Sequence, residues 1–140
     1  MMDKDIISAW DENQKKVREW IATVKNDSFS YKSLLENTIR IIFEEKDDPY
    51  GLPDYKRITE IDNGNYQGAL IFVVGGKGYQ PGVENHWYTS VYYGSCSGCD
   101  TLKGISGYSD ELPNDDQIQQ YWTLCLHMIQ KMKRMIDEES

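Results

Sequence analysis

The sequence contains no apolar run near the roughly 18 residues that a membrane-spanning helix requires, which excludes a helical membrane protein. Its opening, Met1-Met2-Asp3-Lys4-Asp5, is too polar to begin a secretory signal, so a cytosolic location is expected. Positive charge is scarce: 15 Lys and Arg stand against 23 Asp and Glu, a net charge of -8. The acidic excess is spread along the chain, with no basic stripe from which a binder of nucleic-acid backbone would draw its affinity. Repeats and linkers are also lacking. The 140 residues are expected to form one domain that buries about two-thirds of its unfolded surface.

Three amphipathic helices are legible. The first runs from Asp3 to Lys25, with Ile6, Trp10, Val17, Trp20, Ile21 and Val24 on one stripe of the 3.6-residue period. The second begins at Ser30 as N-cap and is expected to stop at Asp47-Asp48-Pro49, where proline disfavours the helical conformation of its predecessor. The third follows Pro113, with a capping box from Asn114 to Gln117 and a stripe reaching Ile136. Between them, Asn63-Gly64 marks a hairpin joining Arg57–Asp62 to Tyr66–Val74, and His86–Tyr93 is a third strand. The expected fold is α+β in the order ααβββα, an antiparallel sheet of three or more strands packed against helices. The helical part spans 1–48, the sheet 56–103 and the last helix 114–137. The strand ending at Val74 is apolar on both faces, and His86–Tyr93 is aromatic on both. That is more apolar surface than three helices can bury, so a homo-oligomer is expected.

The densest local signal is Tyr92-Tyr93-Gly94-Ser95-Cys96-Ser97-Gly98-Cys99-Asp100-Thr101-Leu102. Together with Gly107-Tyr108-Ser109-Asp110-Glu111-Leu112-Pro113 and the helix from Tyr121 to Met135, it resembles a group of small proteins encoded by tailed bacteriophages. The resemblance spans roughly residues 57–135. It implies a phage protein acting inside its bacterial host, and implies no particular activity.

Three readings of Cys96-x-x-Cys99 compete. Zinc would need further ligands from Cys125, His86 or His127, and Cys125 and His127 point about 200° apart on one helix. Redox chemistry would place the first cysteine at a helix N-terminus, which Gly98, Gly104 and Gly107 disfavour. The favoured reading is structural: small residues turn the backbone sharply and expose N–H groups to an anion, with the cysteines as compact supports. No metal or other cofactor is expected; Cys96 and Cys99 are the ligands to examine if zinc is found.

No Ser-His-Asp or Cys-His arrangement is present, and Gly75-Gly76-Lys77-Gly78 lacks the spacing and ending of a phosphate loop. A catalytic role is therefore not expected. Ten Tyr and four Trp are unusual for this length, and eight of the Tyr fall between Tyr50 and Tyr108. Aromatics beside cations can stack a base and hold its phosphates. The candidate ligand-binding residues are Arg57, Trp87, Tyr92, Tyr93, Ser95, Ser97, Gly98, Asp100 and Lys103. The expected function is capture of a small nucleotide-like molecule or host immune signal. The alternative is inhibition of a host defence protein or other host enzyme by direct contact, with the acidic surface as a mimic; a zinc- or thiol-dependent enzyme is held in reserve.

Overall fold

The computed structural model describes residues 4–44, 52–62, 68–76, 86–93, 101–107 and 109–134. Helices α1 (Lys4–Ile21) and α2 (Tyr31–Ile42) are followed by strands β1 (Pro53–Asp62), β2 (Gly68–Gly76) and β3 (His86–Tyr93). Then come a short helix α3 (Thr101–Ser106), the long helix α4 (Asp115–Lys131) and a two-residue strand β4 (Lys133–Arg134). The sheet is antiparallel with strand order β1-β2-β3-β4. The α+β class and the element order match the sequence reading.

The sheet carries helices on one face. Ile58, Phe72, Val74, Trp87, Thr89 and Val91 point from alternating strand positions into the core, as the two-residue period requires. Helix α2 packs on β1 and α4 on β3, while α1 lies across both helices. Ile6, Ala9, Trp10, Val17 and Ile21 from α1 join Leu34, Leu35, Ile39 and Ile42 from α2 and Tyr121, Cys125, Met128 and Ile129 from α4. The Thr89 hydroxyl donates to the Met128 carbonyl at 2.8 Å, which satisfies a buried polar group and pins β3 to α4.

The caps explain most boundaries. Ser30 caps α2 and exchanges hydrogen bonds with Ser33, while Asn114 caps α4 and exchanges them with Gln117. Several boundaries differ from the sequence reading; among the strands, β1 starts at Pro53 rather than Arg57 and β2 runs on to Gly76 rather than ending at Val74. Helix α1 ends at Ile21 rather than Lys25, and the chain turns into a 3-10 helix at Asn26–Ser28. There the buried Asn26 gives its backbone N–H to the Glu111 carbonyl at 2.9 Å, a tertiary bond that outcompetes another helical turn. Helix α2 ends at Ile42, before the Asp47-Asp48-Pro49 stop, which lies outside the described residues, as does the Asn63-Gly64 turn. Helix α4 ends at Lys131, because Lys133 and Arg134 pair with Tyr88 and Trp87 on the edge of β3. Finally, Gly104 and Gly107 do not prevent a helix: Thr101–Ser106 is helical, and Gly107, at φ 58°, ends it in the left-handed conformation glycine tolerates.

Candidate functional site

The outer face of the sheet, opposite the helices, holds the clearest grouping of chemically useful side chains. Its construction begins with an irregularity in β1. Pro53 pairs with Gly76 but Ile58 pairs with Val74, so β1 carries extra residues there and bulges. Within the bulge Asp54 accepts the Lys56 backbone N–H at 3.0 Å, and its carboxylate lies 3.5 Å from Arg57 Nε. Arg57 Nη1 also donates to the Gly76 carbonyl at 3.0 Å. Two anchors thus hold the guanidinium over the end of β2.

Gly75 is what makes room for it. A Cβ at this position would lie 3.3 Å from Arg57 Cβ, 3.5 Å from Arg57 Cδ and 3.6 Å from His86 Nε2. Both side chains therefore close over the glycine from the neighbouring strands, and His86 is its register partner on β3. The next row across the sheet is Thr59, Val73, Tyr88 and Lys133, each paired with its neighbour. Beyond it stand Ile61, Ile71 and Ser90. Residues opposite one another in antiparallel strands share a face, so these rows form one surface. Tyr88 is 40% exposed and Ile61 46% exposed. Among the described outward positions of the regular pairing there is no carboxylate; Asp54, in the bulge, is already engaged by Arg57.

In a chain of net charge -8 this face therefore presents cations, an exposed tyrosine and aliphatic surface. A tyrosine face offers stacking to a planar ring, while a guanidinium and an ammonium offer charge-assisted hydrogen bonds to an anion.

Of the residues expected from sequence, only Arg57 has a described side chain on this surface. Trp87 is 1% exposed and belongs to the core, facing the helices rather than solvent. That corrects its reading as a contact residue: its place in the alternation puts it on the covered side. Tyr92 and Tyr93 pair through their backbones with Ala69 and Gly68, at the far end of β2 from Gly75. Six residues of strand separate Ala69 from Gly75, about 20 Å at roughly 3.3 Å per residue. Arg57 therefore does not stand beside Tyr92 and Tyr93. Lys103 lies on α3, whose start is tied to α2 by the Leu102 N–H donating to the Tyr31 hydroxyl at 3.1 Å. Ser95, Cys96, Ser97, Gly98, Cys99 and Asp100 fall outside the described residues. His86, Tyr88 and Lys133 were missed as site residues. Alternation along β3 already put His86 and Tyr88 together, but Lys133 looked like helix.

Other chemical groups are dispersed. Cys125 is fully buried, and burial pushes its thiol up to about 12, against the opposing effect of the Thr38 hydroxyl hydrogen-bonded to it. A thiol so held has almost no thiolate near neutrality. His127, two residues on, is exposed on the other side of α4. Among the described residues no group of three or more His, Cys, Asp or Glu is arranged to hold a metal, and no helix is long and apolar enough to cross a membrane. A cleft of about 250 Å³ opens between the end of α2 and the start of β1, lined by Ile39, Arg40, Phe43, Glu44, Pro53 and Tyr55. It is smaller than most small-molecule sites, and Asn37 Oδ1 already accepts two hydrogen bonds from Arg40, each 3.2 Å long. The chain matches no protein-family model, no curated protein and no solved structure.

Proposed function

We propose that this chain is a non-enzymatic binding protein that captures a small anionic, nucleotide-like ligand on the outer face of its sheet. The observation that carries the reading is the row structure of that face, with Arg57 and His86 closed over Gly75 and Tyr88 and Lys133 beside them. Tyr88 stacks the base, while Arg57 and Lys133 take the phosphate. The bulge in β1 fixes the guanidinium before the ligand arrives, which lowers the ordering cost of binding. The resemblance to tailed-phage proteins gives the biological sense: such a protein withdraws a host nucleotide signal from its receptor, and capture needs no chemical step.

A thermal-shift screen of nucleoside mono-, di- and triphosphates and cyclic nucleotides tests the reading. A ligand at 100 times its dissociation constant stabilises the fold by about 2.7 kcal/mol, a rise of roughly 8 °C for a chain of this size. Replacing Tyr88 by Ala should weaken binding about tenfold or more, because a stacked base contributes roughly 1–3 kcal/mol. If no nucleotide raises the melting temperature and a host protein co-purifies instead, capture of a small molecule is wrong and direct inhibition of a host enzyme takes its place.

A further inference from the structure

We infer that the buried hydroxyl of Thr89 is the positioning group that ends α4 and so delivers Lys133 to the outer face of the sheet. For the part Lys133 plays in binding, the inference rests on the reading above. The sequence gives α4 no local reason to stop at Lys131. Neither glycine nor proline occurs between Asn114 and Ser140, and Cys125, Met128, Ile129 and Met132 continue the helical spacing. The backbone leaves the helix nonetheless. Met132 is extended at φ -68° and ψ 124°, and its N–H donates to the Ile129 carbonyl at 3.2 Å. Another residue of α-helix would have sent that N–H to the Met128 carbonyl, four residues back.

The last four carbonyls of a helix lack intrahelical partners, and a buried one left alone is costly. Here the Met128 carbonyl accepts the Thr89 hydroxyl at 2.8 Å, with Thr89 1% and Met128 0% exposed. The hydroxyl stands in for the Met132 N–H and allows the helix to end inside the core. Lys133 and Arg134 are then free to extend and pair with Tyr88 and Trp87. Alternation along β3 links the two events: Thr89 faces the helices, while its neighbour Tyr88 lies on the outer face with Lys133 as register partner. Without the hydroxyl, the nearest replacement donor for the Met128 carbonyl is the Met132 N–H. Taking it lengthens α4 and draws Lys133 off the sheet.

Thr89→Val keeps the side-chain shape and removes the hydroxyl, whereas Thr89→Ser keeps the hydroxyl. NMR of the full chain reads the outcome from proton contacts across the Tyr88–Lys133 and Trp87–Arg134 pairs and from the chemical shifts of Met132 and Lys133. Stranding a buried acceptor shifts an equilibrium about tenfold or more, so Thr89→Val should lose the cross-strand contacts and show helical shifts at Met132 and Lys133. Thr89→Ser should keep the parent pattern. Thr89→Ala, which also removes the hydroxyl and adds no bulk, gives the same readout where the valine variant does not fold. In nucleotide titrations Thr89→Val should weaken affinity by the same factor as Lys133→Met, the double variant should lose no more, and Thr89→Ser should restore binding. Cross-strand contacts that survive loss of the hydroxyl, or that vanish in Thr89→Ser, would overturn the inference. So would a Thr89→Val protein that loses the pairing yet binds nucleotide as tightly as the parent. If no nucleotide binds the parent, the capture reading fails, and the NMR comparison still decides what ends α4.

Discussion

Replacing Tyr121 by Phe removes a single hydroxyl from the core, and its cost can be worked out from the partners left behind. The hydroxyl donates to Asn26 Oδ1 at 2.8 Å, with Tyr121 fully buried and Asn26 2% exposed. The amide of Asn26 reaches the Glu111 carbonyl at 3.1 Å and Gln117 Oε1 at 3.2 Å, and Gln117 Nε2 donates to the Ile105 carbonyl at 3.1 Å. One network thus joins the turn after α1, the connection before α4 and the end of α3. Removing the hydroxyl strands Asn26 Oδ1 in the core, which costs about 1–3 kcal/mol. Asn26→Ala instead strands the Tyr121 hydroxyl and breaks two further contacts, at about 2–4 kcal/mol. The double variant should cost clearly less than the two together, because with both partners gone no acceptor or donor is stranded. Urea denaturation is the assay: with a slope near 2 kcal/mol per molar, a loss of 2 kcal/mol moves the midpoint by about 1 M. A Tyr121→Phe protein within 0.5 kcal/mol of the parent, or strictly additive losses, would refute the reasoning.

Three further outcomes follow from buried groups and from the face. Cys125 should resist alkylation in the native protein and react on unfolding, followed by peptide mapping to separate it from Cys96 and Cys99; rapid native labelling would contradict its burial. Burial also raises Cys125 from 9.0 to about 12 and Tyr121 from 10.0 to about 12. Both groups are neutral when protonated and hold the proton more tightly when folded, so their contribution is complete below pH 9 and is lost as pH rises towards 12. Alkaline denaturation should therefore steepen between those values, and flat stability to pH 12 would count against it. Gly75→Val should displace Arg57 and His86, lowering nucleotide affinity about tenfold while the urea midpoint moves little; unchanged affinity would separate Gly75 from the site.

The fold was legible in the sequence where local chemistry decides it. Ser30 and Asn114 announced their helices because an N-cap side chain bonds backbone groups two or three residues away. His86–Tyr93 was legible from end to end because alternation is a local property. What was not legible depends on distant partners. The end of α1 is set by Asn26 reaching Glu111, and the end of α4 by the free edge of β3, both contacts across long stretches of sequence. The site divides the same way. Alternation separated Trp87 from Tyr88, but only the packing of α4 shows which of the two faces solvent. Arg57 was named with Tyr92 and Tyr93 as neighbours, and it is strand register that sets them apart along β2.

The most direct test of where a ligand binds is a two-dimensional amide NMR titration with the nucleotide that gives the largest thermal shift. Binding on the outer face should move the amides of Arg57, Gly75, His86, Tyr88 and Lys133 most, with smaller shifts along Ile61 and Ile71. Shifts confined to residues 94–103, or to the helices on the opposite face, would contradict the proposed site.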